Sequence, residues 1–192
     1  MISWDSREIL RLISCEKRGK ILDMGCGSGF IGVNLTNLGF QVTSADIDKK
    51  EIKDNKRKFS GLKNIKLICS DLFRKVPKEE YDYISFDIPF FPVKKSSFTL
   101  FLGILTTLFH TEWLALPVAR KIFPKKALAR RVFIEKFAGE AGKFLKLRGT
   151  LFINLFSDEI PIVEKHFQVK GRKELFRNYF IISASRKRNH QN

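Results

Sequence analysis

The sequence has few cysteines, and their spacing fits neither a metal site nor a disulfide framework. Among 192 residues there are three cysteines, Cys15, Cys26 and Cys69, and no two of them form a Cys-x-x-Cys pair. An odd number without zinc-ligand spacing favours a reduced chain. The opening residues MISWDSREIL also lack the basic region and apolar core of a secretory signal. We therefore expect a cytoplasmic location and no metal site.

Long apolar runs and acidic residues are scarce as well. The most apolar stretch, 98–109, has 12 residues, whereas a membrane-spanning helix needs about 20. An integral membrane span is therefore not expected. Only 20 acidic residues oppose 36 basic ones, which gives a net charge of +16. Such a surface attracts polyanions, chiefly nucleic acid or anionic lipid, although a basic surface can also serve solubility alone.

Strand-like and helix-like segments alternate along the chain. The strand-like segments are KILDMG, FQVTSAD, NIKLICSD, YDYISFD, GTLFINLF and RNYFIISASR. The helix-like segments are SWDSREILRLISCEKR, FIGVNLTNLG, KKEIKDNKRKFSG, KALARRVFIEKFAGEAGKFLKL and IPIVEKHF. This alternation predicts a single α/β domain with a mostly parallel sheet and helices on both faces. We assign residues 1–186 to that domain and 187–192 to a basic tail.

A glycine-rich loop follows the first predicted strand in ILDMGCGSGF. It places Asp23, Gly25, Gly27 and Gly29 between a strand and a helix, where glycines let the backbone turn tightly and approach a ligand. A Gly-x-Gly-x-x-Gly pattern ending at Gly32 would suit a dinucleotide oxidoreductase. The acid two residues before the first glycine argues against a pyrophosphate, which it would repel. A ligand that carries an ammonium and a sulfonium would not be repelled.

Three segments resemble motifs of the S-adenosylmethionine-dependent methyltransferases with the seven-stranded Rossmann-like fold. LDMGCGSG resembles the first motif, and VTSADID resembles the second, in which an acid binds the ribose hydroxyls. Asp46 lies 21 residues after Gly25, near the offset of about 20 expected for a ribose-binding acid. ICSDLF resembles the third motif, in which Asp71 would face the adenine amino group and Leu72 would pack on the ring.

The resemblance implies S-adenosylmethionine as cofactor. Each acid alone could be an ordinary turn or cap residue, and Cys26 a small loop filler. All three acids, however, follow predicted strands at the carboxyl edge, where open α/β sheets bind ligands. The implied cofactor-binding residues are Asp23, Gly25, Cys26, Gly27, Gly29, Asp46, Ile47, Asp71 and Leu72.

The stretch FDIPFFP, at 86–92, resembles the fourth motif of amino-group methyltransferases, Asn/Asp-Pro-Pro-Tyr/Phe. Here it consists of Asp87, Ile88, Pro89 and Phe90, with a branched aliphatic at the second position, as in the related adenine dimethyltransferases. The resemblance implies that the Asp87 carboxylate and the Pro89 carbonyl accept hydrogens of a planar amino group, and that Phe90 stacks on the substrate. The alternative is a proline-terminated strand with core phenylalanines.

The expected substrate is a base in RNA, either rRNA or tRNA. Segment 118–148 carries ten basic and two acidic residues, and a phosphate backbone would be drawn to such a face. The alternatives are DNA, the amide of a protein glutamine, or a non-catalytic RNA-binding or assembly module that keeps the fold. The ten basic residues are Arg120, Lys121, Lys125, Lys126, Arg130, Arg131, Lys136, Lys143, Lys146 and Arg148.

An apolar and basic insert, predicted to be helical, follows the fourth motif at 94–121. Three roles are open for it: a lid over the active site, a docking surface for a partner or a dimer, or peripheral contact with a membrane. His110 and Glu112 break its apolar run. We expect an ordinary surface role for both, because direct transfer to an amino group needs no strong base.

Overall fold

The computed structural model describes residues 3–88, 124–176 and 178–187 of the chain. In chain order the helices are α1 (Trp4–Ser14), α2 (Phe30–Asn37), α3 (Lys49–Lys58), α4 (Pro124–Ala141) and α5 (Ile160–Glu164), with a short 3-10 helix at Leu72–Lys75. The strands are β1 (Lys20–Met24), β2 (Gln41–Asp46), β3 (Ile65–Cys69), β4 (Tyr81–Phe86), β5 (Leu145–Phe156), β6 (Phe167–Phe176) and β7 (Tyr179–Arg186).

The strands form one seven-stranded sheet in the order β3-β2-β1-β4-β5-β7-β6. Strand β7 runs antiparallel to β5 and β6, and the remaining pairs are parallel. The predicted α/β fold with a mostly parallel sheet is therefore confirmed. Because β1 pairs with β2 on one side and β4 on the other, the strand order reverses at β1, and the crevice outside the carboxyl ends of β1 and β4 is where such sheets bind ligands.

Apolar residues cover both faces of the sheet. On β1, Ile21 joins a cluster with Ile9 and Ile13 of α1, whereas Leu22 faces the other side and joins a cluster with Phe137 of α4. The alternation follows from the period of two along a strand. Helices α1 and α4 therefore lie on opposite faces, and both reach the crevice edge.

Several predicted helices end earlier in the structure, and two of these ends lie next to a strand. The helix predicted over 126–147 ends at Ala141, and β5 begins at Leu145 and pairs with Tyr81. The short helix predicted over 160–167 ends at Glu164, because Phe167 already pairs with β7. In both cases the residues after the helix form hydrogen bonds with a neighbouring strand. These bonds are tertiary contacts, which the local sequence pattern does not show.

The insert 94–121, on which the lid and docking hypotheses depend, lies outside the described residues, as do Pro89 and Phe90. In the described part of the chain, no helix combines the length and the apolar character needed to cross a membrane.

Candidate active site

The glycine loop follows β1 and is fixed to the end of β2. Gly25, Gly27 and Gly29 have φ of 67°, 47° and 80°, a left-handed region that side chains with a Cβ rarely adopt. The amides of Gly25 and Cys26 donate to the Ala45 carbonyl at 2.7 and 3.1 Å. Burial raises the pKa of the Cys26 thiol, which lowers its thiolate fraction and fits a structural role in the loop.

Asp46 closes the loop from the end of β2. Its carboxylate accepts the Gly27 amide at 2.8 Å and the Asp48 amide at 2.9 Å. A Cβ placed on Gly27 would meet no atom within 4 Å, so the space beside this amide is open. The next side chain, Ile47, is apolar yet 68% exposed. An acid, an open space and an exposed apolar side chain at one edge fit the ribose and adenine of S-adenosylmethionine.

Asp71 and Leu72 follow β3 at the same edge. The Asp71 side chain is half exposed, with the Lys136 ammonium 4.0 Å away. Leu72 adopts a φ of 46° and is buried in the core cluster of α4, so its contact with an adenine ring stays a prediction. The hydroxyl of Ser70 holds this turn, since it donates to the Leu72 carbonyl at 2.7 Å and accepts the Lys75 amide at 2.9 Å.

Asp23 lies buried beneath the glycine loop, so the repulsion of a pyrophosphate that we inferred from the sequence has no exposed carboxylate behind it. Its side chain is 1% exposed, and its carboxylate accepts the Gly32 amide at 3.1 Å and the hydroxyls of Ser85 and Ser44 at 3.1 and 3.4 Å. Ser44 and Ser85 are its register partners on β2 and β4. Burial raises the pKa of Asp23 to about 7 despite these bonds. Asp23 thus holds the start of α2, and contact with a cofactor stays a prediction.

Asp87 lies at the carboxyl end of β4 and is held from two sides. One oxygen accepts the Asn154 amide of β5 at 2.6 Å, and the other accepts the hydroxyls of Ser3, at 3.2 Å, and Ser6 at the start of α1. Burial, reinforced by the nearby Asp5 carboxylate, raises the pKa of Asp87 to about 6. The carboxylate is therefore fixed in direction and titrates within a physiological range.

The backbone of Ile88, the residue after Asp87, is also held at both its amide and its carbonyl. The Ile88 amide donates to the Asn154 side-chain oxygen at 2.7 Å, and the Ile88 carbonyl accepts the Arg130 guanidinium at 2.9 Å. Arg130 is 2% exposed and pairs with the buried Glu159 at 3.1 Å. Its assignment to a basic surface was wrong, because Glu159 and the backbone carbonyls take up its charge inside the fold.

Other cations of 118–148 remain at the surface. Arg131 pairs with Asp158 at 2.8 Å and Lys146 with Asp82 at 2.7 Å. Helix α3, which begins beside Asp46, is a second basic surface with a net charge of +4. Its exposed cations are Lys49, Lys50, Lys53, Lys56, Arg57 and Lys58. In segment 118–148, the exposed cations among the described residues are Lys125, Lys136, Lys143 and Arg148.

Several residues of the site escaped sequence reasoning. Asn55 of α3 is fully buried and donates to the Gly27 carbonyl at 2.7 Å, and nothing in its charged helix indicated this. Asn154 did leave a signal, since it is a lone amide in the apolar strand segment LFINLF, and buried polar residues usually have a specific partner. Ser44 and Ser85 similarly stand out within apolar strands.

The comparisons with known proteins agree with this geometry. The methyltransferase small domain family matches residues 4–110. The Bacillus subtilis (strain 168) protein YqeM, whose name marks it as a candidate methyltransferase, is 32% identical over 59 residues, which cover 31% of this chain. That match spans only 24% of the length of YqeM.

Solved structures share the fold over nearly the whole chain. The ribosomal protein L11 methylase of Lactobacillus delbrueckii subsp. bulgaricus has a TM-score of 0.65 at 15% identity, covering 97% of this chain and 81% of that one. The N-methyltransferase NodS of Bradyrhizobium japonicum WM9, in complex with S-adenosyl-L-homocysteine, has a TM-score of 0.63 at 12% identity, covering 95% and 86%. The T. thermophilus 16S rRNA N2 methyltransferase RsmC, in complex with AdoMet and guanosine, has a TM-score of 0.63 at 17% identity, covering 97% and 44%.

At these identities the structural likeness shows the fold alone, whereas the family match covers more than half of the chain and includes the glycine loop, Asp46, Asp71 and Asp87. The chain therefore belongs to the methyltransferase small domain family of class I methyltransferases, whose cofactor is S-adenosylmethionine.

Proposed function

We propose that the chain transfers a methyl group to a planar amino nitrogen positioned at Asp87, and that the acceptor is a base in RNA. The observation that carries this proposal is the Asp87 carboxylate, fixed by donors from α1 and β5 at the end of β4. Strand β4 is the direct neighbour of β1, so the carboxylate lies in the same crevice as the glycine loop.

The cofactor supplies a methyl group on a sulfonium. Asp46 would accept the ribose hydroxyls, while Ile47 and Asp71 would flank the adenine. The open space at Gly27 and the exposure of the Ile47 side chain support these roles for Asp46 and Ile47. Under this proposal the ends of β2 and β3 bind the cofactor, and the end of β4 binds the acceptor.

An amino nitrogen on a conjugated ring is a poor nucleophile, because its lone pair is delocalised. A carboxylate that accepts one amino hydrogen directs the lone pair out of the ring plane and stabilises the positive charge that develops on nitrogen. The fixed Asp87 carboxylate suits this role in its ionised form. The carbonyl of Pro89 would accept the second hydrogen and Phe90 would stack on the base, as the resemblance to the fourth motif implies.

The choice of RNA rests on charge. The net charge of +16 includes the exposed cations of α3, which begins beside the Asp46 end of the crevice. Lys136 lies at the crevice edge near Asp71. Cations around such an edge would hold the phosphates of a strand whose base enters the site. The fold likeness to RsmC, an rRNA N2 methyltransferase by its title, is compatible with this acceptor but does not decide it.

The proposal is tested by transfer of a radiolabelled methyl group from S-adenosylmethionine to total RNA, DNA and a cell protein extract. Label in RNA that depends on Asp87 supports the proposal. Label confined to protein would overturn the choice of RNA and favour a glutamine amide. Cofactor binding with no label in any fraction would favour a non-catalytic module.

A further inference from the structure

We propose that Asn154 is a positioning residue of the acceptor site, whose side-chain amide sets the direction of the Asp87 carboxylate and of the Ile88 peptide. The inference deepens the proposed function and rests on it, because it concerns how the carboxylate is aimed at the acceptor amine.

The orientation of the Asn154 amide is fixed by its own hydrogen bonds. Its oxygen accepts the Ile88 amide at 2.7 Å, so the nitrogen must face the other way. The two hydrogens of that nitrogen then donate to Asp87 at 2.6 Å and to Asp5 at 2.9 Å. Asn154 is completely buried. Rotation of its amide would break all three bonds without water to replace them, which is costly in a buried site.

The Ile88 carbonyl is held by Arg130, and the Asn154 side-chain nitrogen also lies 3.4 Å from it. One guanidinium nitrogen donates to the Ile88 carbonyl at 2.9 Å and another donates to the backbone carbonyl of Asn154 at 3.0 Å. Asn154 of β5 thus holds the amide of Ile88, and Arg130 of α4 holds its carbonyl. This arrangement fixes the chain direction after Asp87 as well as the carboxylate itself.

The amide also keeps two carboxylates in one buried site. Asp5 and Asp87 each accept one hydrogen of Asn154, and Asp5 accepts the Tyr179 hydroxyl at 2.9 Å as well. The titratable and charged groups around Asp87 are Asp5 on α1, Asp23 on β1, Arg130 on α4, Glu159 and Tyr179. Like the bonds from Ser3 and Ser6, the bond from Asn154 favours the ionised form of Asp87, which is the stronger acceptor for an amino hydrogen.

The variant Asn154→Asp tests this role, because it retains an oxygen for the Ile88 amide and, in its ionised form, has no hydrogen to donate to Asp87. With radiolabelled S-adenosylmethionine and total RNA, we expect the transfer rate to fall about 10- to 100-fold, the usual effect of losing a hydrogen bond to a charged group. The acid limb of the rate profile should move to higher pH, because a bond that favours ionised Asp87 is lost. The dissociation constant for S-adenosylhomocysteine should stay within about threefold, since no cofactor residue is changed.

Asn154→Asp also adds a carboxyl group to the buried site. The double variant Asp5→Asn/Asn154→Asp controls for this, because it has the wild-type number of carboxyl groups but still has aspartate at position 154. We expect its transfer rate to stay low. Recovery to the wild-type rate would show that charge crowding caused the loss and would overturn the inference. If Asn154→Asp does not fold, Asn154→Ser is used, and a wild-type rate and pH profile in that variant would overturn the inference equally.

The variant Asp87→Ala, measured in parallel, separates the two levels of the proposal. Full transfer by Asp87→Ala would refute the proposed function. Loss of transfer in Asp87→Ala combined with an unchanged rate and pH profile in Asn154→Asp would refute only the positioning role.

Discussion

The carboxylate of Asp46, at the end of β2, accepts a hydrogen bond from the backbone amide of Gly27 in the glycine loop at 2.8 Å. The loop after the first strand and the acid after the second strand are therefore one structural unit. We therefore expect a ribose that binds Asp46 to lie beside both the glycine loop and the end of β2.

The substitution Asp46→Asn should weaken S-adenosylhomocysteine binding about 10- to 100-fold, as expected for loss of a hydrogen bond to a charged acceptor. The amide oxygen can still accept the Gly27 amide, so the loop should keep this contact, whereas the bond from the Asp48 amide to the other oxygen is lost. Calorimetric titration measures the dissociation constant. Asp54→Asn, a surface change on α3, is the matched control and should bind normally, and equal affinities for the two variants would contradict the assignment of Asp46.

The substitution Gly29→Ala should destabilise the glycine loop. Gly29 has a φ of 80°, and an added Cβ would lie 2.8 Å from the Phe59 ring. Conformational strain and steric overlap together should lower the unfolding free energy by about 1–3 kcal/mol. The control is Gly139→Ala in α4, where the nearest atom would be 3.8 Å away and alanine should stabilise the helix by up to about 1 kcal/mol. Urea denaturation measures both, and a Gly29 variant as stable as wild type would contradict the strained geometry.

Asp23 should make stability depend on pH. Its pKa is raised from 3.8 to about 7 by burial, so between these values the folded state holds a proton that the unfolded state has released. The unfolding free energy should therefore fall as pH rises from about 4 to about 7, by at most about 4 kcal/mol from this group. In Asp23→Asn this decline should be absent, so the stability of the variant relative to wild type should increase between pH 5 and pH 8. A difference that stays constant over this range would argue against a buried, protonated Asp23.

Methyl transfer should lose activity in acid because of Asp87. Burial raises the pKa of its carboxyl to about 6, and the ionised form is the stronger acceptor and the one that stabilises positive charge on the nitrogen. Below about pH 6 the rate should fall about tenfold per pH unit. Asp5→Asn removes the neighbouring like charge and should move this limb to lower pH. A rate profile that is flat from pH 5 to pH 7 would show that the ionisation of Asp87 does not control the reaction.

The fold, and the position of the glycine loop, Asp46 and Asp71 at one edge of the sheet, could be predicted because their signals are local. The strands and helices can be recognised from the periods of short segments. The loop glycines, Asp46 and Asp71 directly follow strand segments, and the order of these segments places them at one edge of a parallel sheet. The boundary between α4 and β5 was misplaced, because pairing of Leu145 with Tyr81 is a tertiary contact.

The acceptor side could be predicted only in part, because its supports are distant in sequence. Asn154 lies 67 residues from Asp87, and Ser6 lies 81 residues from it. Arg130 looked like a surface cation because its neighbours are basic, yet its partner Glu159 is 29 residues away and buried. The sequence shows that Arg130 is basic, but it does not show the buried packing that places Glu159 beside it.

The most direct test of the account is the single-turnover rate of methyl transfer by Asp87→Ala, with saturating S-adenosylmethionine and the RNA fraction that accepts label. The account predicts a cofactor dissociation constant within about threefold of wild type and a transfer rate lowered at least about 100-fold. A rate close to wild type would show that Asp87 does not form the acceptor site and would contradict the central claim.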